Sequence, residues 1–210
     1  MSPGKPTGAA VFSSTVTHSI VEAVLDEFSE AGYGRLSMER VAKRARVGKS
    51  ALYRRWPSKE EMVIAVLSEF SVGVSEAPDT GTFRGDLRAT LGQFVDWIDD
   101  PRFSKILPDL VAESARNHRL GELHTQMIGT PRRERAVQIF ERAVARGELP
   151  EDMDVELALD LVAGPLYWRS TVRGADVDSA YLDHLTDVIV AALTGSRGLR
   201  PTPTPVIEPL

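Results

Sequence analysis

Apolar side chains recur at helical spacing along almost the whole chain. Ile20, Val21, Val24, Leu25 and Phe28 define a first helix, with Gly32 as its stop. Ser37 then stands as an N-cap before Met38, Val41, Ala42 and Ala45, a spacing of i, i+3, i+4, i+7. Val47, Ala51 and Leu52 place one apolar stripe on a short third helix that Pro57 closes. Ser58-Lys59-Glu60-Glu61 forms a capping box opening a long fourth helix over 59–77, with Val63, Val66, Leu67, Phe70 and Val74 on one face.

Beyond Pro78 the pattern resumes with Leu87, Leu91, Phe94, Val95 and Ile98. Asp100-Pro101 predicts an N-cap and N1 pair for a helix through Phe103, Ile106, Leu107, Leu110 and Val111, which Pro108 should kink or split. Leu120, Leu123 and Met127 continue the pattern, Gly129 and Pro131 should interrupt it, and Ala136 to Val144 carry it to Gly147. Asp154 and Asp178 are caps for helices over 155–171 and 182–193. No strand and no internal repeat emerges, so the expected fold is all-α with about nine helices. Residues 1–12 are expected to be a disordered leader, and the Pro-rich stretch 196–210 an extended tail.

Charge changes the picture. The net charge of -5 hides an uneven division, because the first sixty residues carry 10 basic and 6 acidic side chains and the remainder 15 and 24. Between residues 35 and 59 the count is 9 basic to 1 acidic. A basic block inside an acidic chain marks a polyanion partner more readily than a merely solvated face. The third helix turns Lys49, Ser50, Tyr53 and Arg54 away from its apolar stripe, and the preceding helix carries Arg40, Lys43 and Arg44. Cations at that density suit phosphates, and side chains near a helix N-terminus suit base edges in a major groove, so double-stranded DNA is the expected partner.

Residues 20–63 resemble the DNA-binding domain of the TetR family of transcriptional regulators. The resemblance is carried by Ala23, Phe28, Gly32-Tyr33, Leu36-Ser37-Met38, Val41-Ala42, Ala45, Val47-Gly48-Lys49, Leu52-Tyr53 and Trp56-Pro57-Ser58-Lys59-Glu60. The turn Arg146 to Leu149 (Arg-Gly-Glu-Leu) is of a type common in one subgroup of that family. The resemblance implies a helix-turn-helix DNA-binding domain over 13–58 and a larger effector-binding and dimerisation domain over 59–195, the fourth helix linking the two. It also implies that Lys49, Ser50 and Arg54 meet bases or phosphates, that Tyr53 meets a phosphate, and that Lys59 meets the backbone at the start of the fourth helix. Ser37 caps the second helix and is equally a candidate for a phosphate contact. Two positions depart from the family pattern. Arg46 stands where the family usually has glycine, a place that favours φ > 0, and it adds a candidate phosphate contact beside Arg44. Thr17 stands where an arginine is frequent.

Other chemistry is poorly supported. Cysteine is absent, which removes disulfides, thiol nucleophiles and cysteine-based zinc sites. Gly48-Lys49-Ser50 lacks the earlier glycine and the strand of a P-loop, and His18, His118, His124 and His184 have no metal-ligand spacing. No catalytic or metal residue is therefore expected, no cofactor, and no membrane segment, with cytoplasmic placement by default. Core packing explains most aromatic and methionine positions of the larger domain. The family holds its effector between helices there, however, which makes Phe94, Trp97, Phe103, Leu107, Met127, Phe140 and Trp168 ligand candidates and His124 their polar contact.

The helix over 155–168 is apolar on nearly every side and needs cover from more than one direction. Leu161, Leu166, Leu185, Val188, Ile189 and Ala192 are accordingly the expected contacts of a homodimer built as a four-helix bundle. The expectation is a ligand-responsive DNA-binding repressor released from a near-palindromic operator by a mostly apolar small molecule. The alternatives are an all-α small-molecule-binding protein or enzyme without DNA binding, and a protein-interaction module.

Overall fold

The computed structural model describes residues 14–72 and 77–195. The expected leader over 1–12 and tail over 196–210 lie outside the described residues, as does the end of the fourth helix. All regular structure among the described residues is helical: α1 (Ser14–Ala31), α2 (Met38–Ala45), α3 (Lys49–Arg55), α4 (Lys59–Val72), α5 (Phe83–Ile98), α6 (Phe103–Ser114), α7 (His118–His124), α8 (Thr130–Ala145), α9 (Val155–Tyr167) and α10 (Ser179–Thr194).

The predicted caps hold. Ser37, Asp154 and Asp178 accept from the backbone N–H groups of Arg40, Leu157 and Tyr181, and Ser58 Oγ accepts from Glu61. Asp100 also caps at the expected place. It accepts from Arg102 and Phe103 N–H, and α6 begins at Phe103. Two expected breaks are not breaks. α6 runs through Pro108 unsplit, because Phe103, Ile106, Leu107 and Leu110 bury one face across both halves. Gly129 and Pro131 do not interrupt the chain either. A π-helical turn over Thr125–Gly129 joins α7 to α8 in one rod. Pro131 has no N–H to offer the Met127 carbonyl four residues before it, and Ser68 Oγ of α4 donates there at 3.0 Å. A second π turn, Trp168–Val172, extends α9.

Two hydrophobic cores organise these helices, and their boundary does not follow the order of the chain. The first joins α1 to α4 with Phe103, Ile106 and Leu110 of α6, Leu120 and Leu123 of α7, and Ile128 of the π turn. The second joins α5, α8, α9 and α10. Glycines permit two of the close approaches. A Cβ on Gly121 would lie 2.8 Å from the Ser114 carbonyl, so α7 can fold back on α6 only with glycine there. Gly32 ends α1 at φ +76, and a Cβ there would meet Asp109 at 3.1 Å.

Polar contacts fasten the same junctions. Asp109 of α6 accepts from the Tyr33 N–H at 2.7 Å, and the Tyr33 hydroxyl donates to Glu60 of α4 at 2.9 Å. Asn117, which caps α7, also donates to Glu60. Arg102 at the head of α6 pairs with Glu22 of α1 at 2.8 Å. In the second core Asp86 is fully buried. It accepts from Thr80 N–H at 2.6 Å, the Thr80 hydroxyl at 2.8 Å and Arg146 at 3.2 Å. Glu148 pairs with Arg146 and caps α5 at the Phe83 N–H. The Arg-Gly-Glu-Leu turn thus holds the start of α5.

Asp86 yields a prediction about acid stability. Burial pushes its carboxyl up, but the Thr80 hydrogen bonds and Arg146 outweigh this and hold it below the ordinary aspartate range. A carboxyl depressed on folding stabilises the fold above its unfolded value, and that contribution is lost as pH falls through the depressed one. Asp86→Ala should cost about 2–3 kcal/mol in urea unfolding at pH 7, where it leaves the Thr80 N–H and hydroxyl without their acceptor and Arg146 with Glu148 as its remaining close carboxylate. The difference between variant and parent should shrink below about pH 4. Arg46 yields a second. It adopts φ 56, ψ 40, alone among the described non-glycine residues in having positive φ. Arg46→Gly should raise stability by about 1 kcal/mol in the same assay, since relief of left-handed strain exceeds the added freedom of the unfolded chain.

Candidate functional site

The α2–α3 pair is a helix-turn-helix whose geometry follows from local chemistry. Val41 and Ala42 of α2 and Leu52 of α3 are buried in the first core, so the opposite faces of both helices are left to solvent. The turn between them is a Schellman motif. Arg46, left-handed, donates to the Lys43 carbonyl, and Val47 donates to the Ala42 carbonyl at 3.0 Å. An arginine therefore occupies the glycine-favouring position without altering the turn. Gly48 precedes α3 with no capping side chain.

On this frame Arg46, Lys49, Ser50, Tyr53 and Arg54 are exposed together. Lys49 lies 5.6 Å from the Tyr53 ring centroid and pairs with Glu39, which pushes its ammonium pKa up. Arg55 donates to Thr17 Oγ1 at 3.0 Å and covers the Trp56 ring, so the α1 position lacking arginine receives one from α3. Ser37 is half-buried, and its hydroxyl oxygen accepts from Arg40 at 3.2 Å.

Two expected DNA contacts are turned elsewhere. Arg44 reaches back to α1, with its Nε 2.8 Å from Glu27 and its terminal nitrogens on Glu30 and Asp26. Glu27 is buried. Burial raises its pKa, but Arg40 and Arg44 outweigh that and keep the carboxylate ionised. Lys59 lies over the Tyr33 ring at 3.9 Å and donates to the Tyr33 carbonyl at 3.0 Å, so it braces the α1–α2 turn. The acids that bind Arg44 lie on α1, more than ten residues away in sequence, and local charge counting does not register them.

The expected effector residues divide in the same way. Phe94, Trp97 and Phe103 meet at the junction of α5 and α6, with ring centroids 5.9 and 4.9 Å apart. Arg132 of α8, absent from the sequence-based candidates, lies over them, 4.2 Å from the Trp97 centroid and 5.8 Å from Phe94. Burial, and then the charge of Arg135, push the Arg132 pKa down to about 10. His124, half-buried, has its pKa lowered by burial and by Arg132. Trp97 Nε1 is buried with no hydrogen-bond partner. Leu107 is buried on α6 but belongs to neither core.

The remaining candidates lie apart from this group. Phe140 packs on Phe83 inside the second core at 6.0 Å, Met127 points to solvent, and Trp168 is 59% exposed. An open hollow beside the Arg146–Leu149 turn, lined by Val144, Gly147, Leu149, Pro150, Glu151 and Asp152, contains none of the expected residues. Among the described residues no group of three or more His, Asp or Glu side chains could hold a metal ion, and no helix is long and apolar enough to cross a membrane.

The expected dimer contacts also separate. Leu166, Leu185 and Ile189 are buried in their own subunit's second core. The stripe Leu182, Leu185, Ile189, Leu193 faces inward, so these side chains have no surface to offer a partner. Leu161 is half-buried, while Val188 and Ala192 are exposed. Leu157, Trp168 and Val172 are exposed along α9 and its π extension.

The comparisons with known proteins agree with this geometry. Residues 20–66 match the family described as bacterial regulatory proteins, tetR family, and residues 77–189 match the tetracyclin repressor-like C-terminal domain. An HTH-type transcriptional regulator of Mycobacterium bovis is 33% identical over 92% of this chain and 95% of its own. A protein of Mycobacteroides abscessus named DNA-binding transcriptional repressor TetR is 30% identical over 85% of this chain and 94% of its own. The crystal structure of the TetR family transcription regulator SCO0332 superimposes with a TM-score of 0.67 at 27% identity, covering 83% of this chain and 96% of that one. With both segments matched and relatives at this identity across nearly the whole chain, the protein belongs to the TetR family of helix-turn-helix transcriptional regulators.

Proposed function

We propose that the protein is a homodimeric, ligand-responsive repressor acting in the cytoplasm. In this reading residues 13–58 bind operator DNA, and residues 59–195 bind the effector and the second subunit, with α4 linking the two. The observation that carries the ligand response is the shared core. α6, which brings Phe103 to the aromatic junction, packs together with α7 into the same hydrophobic cluster as α1–α4. A ligand that displaces α6 or α7 therefore strains the helix-turn-helix unit directly. Such coupling is typically about 1–3 kcal/mol, and it requires different ligand affinities in the DNA-competent and incompetent states. Repression is supported by the name of the Mycobacteroides abscessus relative.

Arg46, Lys49, Ser50, Tyr53 and Arg54 form the DNA surface in this proposal. A two-fold dimer would present two α3 helices roughly 34–36 Å apart, one turn of DNA, and so select a near-palindrome. The exposed Leu157, Trp168, Val172, Val188 and Ala192 supply apolar surface that a second subunit would cover.

Fluorescence anisotropy with a DNA site selected from a random pool tests the DNA reading. Affinity should fall steeply between low and moderate salt. Tyr53→Ala should weaken all sequences alike, whereas Lys49→Ala and Arg54→Ala should cost about 1–3 kcal/mol on the selected site and less on scrambled DNA. Proportional loss on every sequence for all three would remove base readout. Sedimentation equilibrium tests the dimer. The parent should run at twice the 23.0 kDa chain mass, and Val188→Asp should run as a folded monomer. A Val188→Asp protein that remains dimeric would place the interface elsewhere.

A further inference from the structure

We infer that Glu39 is a specificity-determining residue of the DNA surface: its carboxylate restrains Lys49, which weakens binding to arbitrary DNA more than binding to a site with the right base edge. This role rests on the DNA reading proposed above and deepens it by naming what lowers affinity for the wrong sequence. Between residues 35 and 59 there are 9 basic side chains and 1 acidic, and the acid is Glu39. It stands in the first turn of α2 and pairs with Lys49, the first residue of α3. The Glu39 side chain is 55% exposed and that of Lys49 54%. An ion pair so exposed contributes little to folding, so stability gives little reason for an acid at this place. The acids that hold Arg40 and Arg44 lie on α1 instead.

Hydrogen bonds from Lys49, and then from its own backbone N–H, hold the Glu39 carboxyl below the ordinary glutamate range, so it is ionised at neutral pH. One turn along α3 the Tyr53 ring centroid lies 5.6 Å from the Lys49 ammonium, which thus has a carboxylate and an aromatic ring to hold it. An unrestrained lysine is a mobile point charge that takes the nearest phosphate. Phosphates line every sequence, so that contact adds affinity without discrimination. With Glu39 in place, a phosphate must share the ammonium with a second anion, and the two repel. Guanine O6 and N7 are acceptors on a base with no net charge. The ammonium has three donors, and it can offer one to a base while Glu39 keeps another. The carboxylate therefore penalises the indiscriminate contact more than the specific one, which is how repulsion produces selectivity.

Fluorescence anisotropy with the full-length protein would compare the site that the parent selects from a random pool with a scrambled duplex of the same composition. Glu39→Gln keeps the size of the side chain and removes its charge. It should tighten binding to scrambled DNA by about three- to fivefold and to the selected site by much less, so that the ratio of the two affinities falls. The salt slope on scrambled DNA should steepen by about one, because the released Lys49 takes a phosphate. Neither change should occur when Glu39→Gln is made in a Lys49→Ala background. The thermal midpoint of each variant is measured alongside, since a purely structural role for Glu39 would move the midpoint and leave the ratio where it was. If Glu39→Gln tightens both duplexes equally, the acid is only a uniform repulsion, and if the ratio falls as far without Lys49, the acid does not act through it. Both results overturn the inference. The DNA surface itself is tested by Lys49→Ala alone. If that variant weakens the selected site while Glu39→Gln changes nothing, the DNA reading stands and the role of Glu39 falls. If Lys49→Ala leaves both affinities as they were, Lys49 is no DNA contact and both fall together.

Discussion

The packing of α6 and α7 against the helix-turn-helix unit is the constraint on which the rest depends. Phe103, Ile106, Leu110, Leu120, Leu123 and Ile128 complete a core that α1–α4 begin. A three-helix unit of this size has little interior of its own, and burial on α6 and α7 supplies what the short α2 and α3 cannot. The polar contacts at the seam are directional where the apolar ones are not. Asp109 fixes the Tyr33 backbone, Glu60 joins Tyr33 to Asn117, and Arg102 reaches Glu22. These contacts fix the angle at which the larger part of the chain meets the DNA-binding part, so a change at the aromatic junction is transmitted through a packed and hydrogen-bonded seam.

The same seam accounts for the distribution of positive charge. The basic block looked uniform by count, but its members have different surroundings. Arg40 and Arg44 lie on the buried Glu27, and Lys59 on Tyr33. Arg46, Lys49, Tyr53 and Arg54 are left on the outer surface of the turn and α3. Glu27, buried on α1, thus takes up two of the cations of α2.

Much of the fold was legible because helices are local. Spacing, caps and the Arg46 turn could be read from neighbouring residues, and the caps at Ser37, Asp154 and Asp178 stand as expected. What was not legible depends on partners distant in the chain. Pro131 reads as a helix breaker until Ser68, 59 residues from Met127, satisfies the carbonyl it leaves. Leu166, Leu185 and Ile189 read as interface because an apolar helix must be covered, but sequence does not say by which neighbour; their own subunit covers them. Arg132 was missed because an arginine between Pro131 and Arg133 in a charged stretch reads as solvated. Only the fold places it over Trp97. Trp168 shows the converse, an aromatic at core spacing that the structure leaves exposed.

Amide hydrogen exchange resolved by segment tests the shared core most directly. Contiguous cooperative units open together, with a common free energy and a common response to denaturant. If α6 and α7 belong to the DNA-binding unit, amides in α1, α2, α4, α6 and α7 should share one opening free energy and one denaturant slope, distinct from those of α5 and α8–α10. If α1–α3 instead open on their own while α6 and α7 exchange in step with α8–α10, the boundary between the cores follows the order of the chain, and the account of how the two parts are joined is wrong.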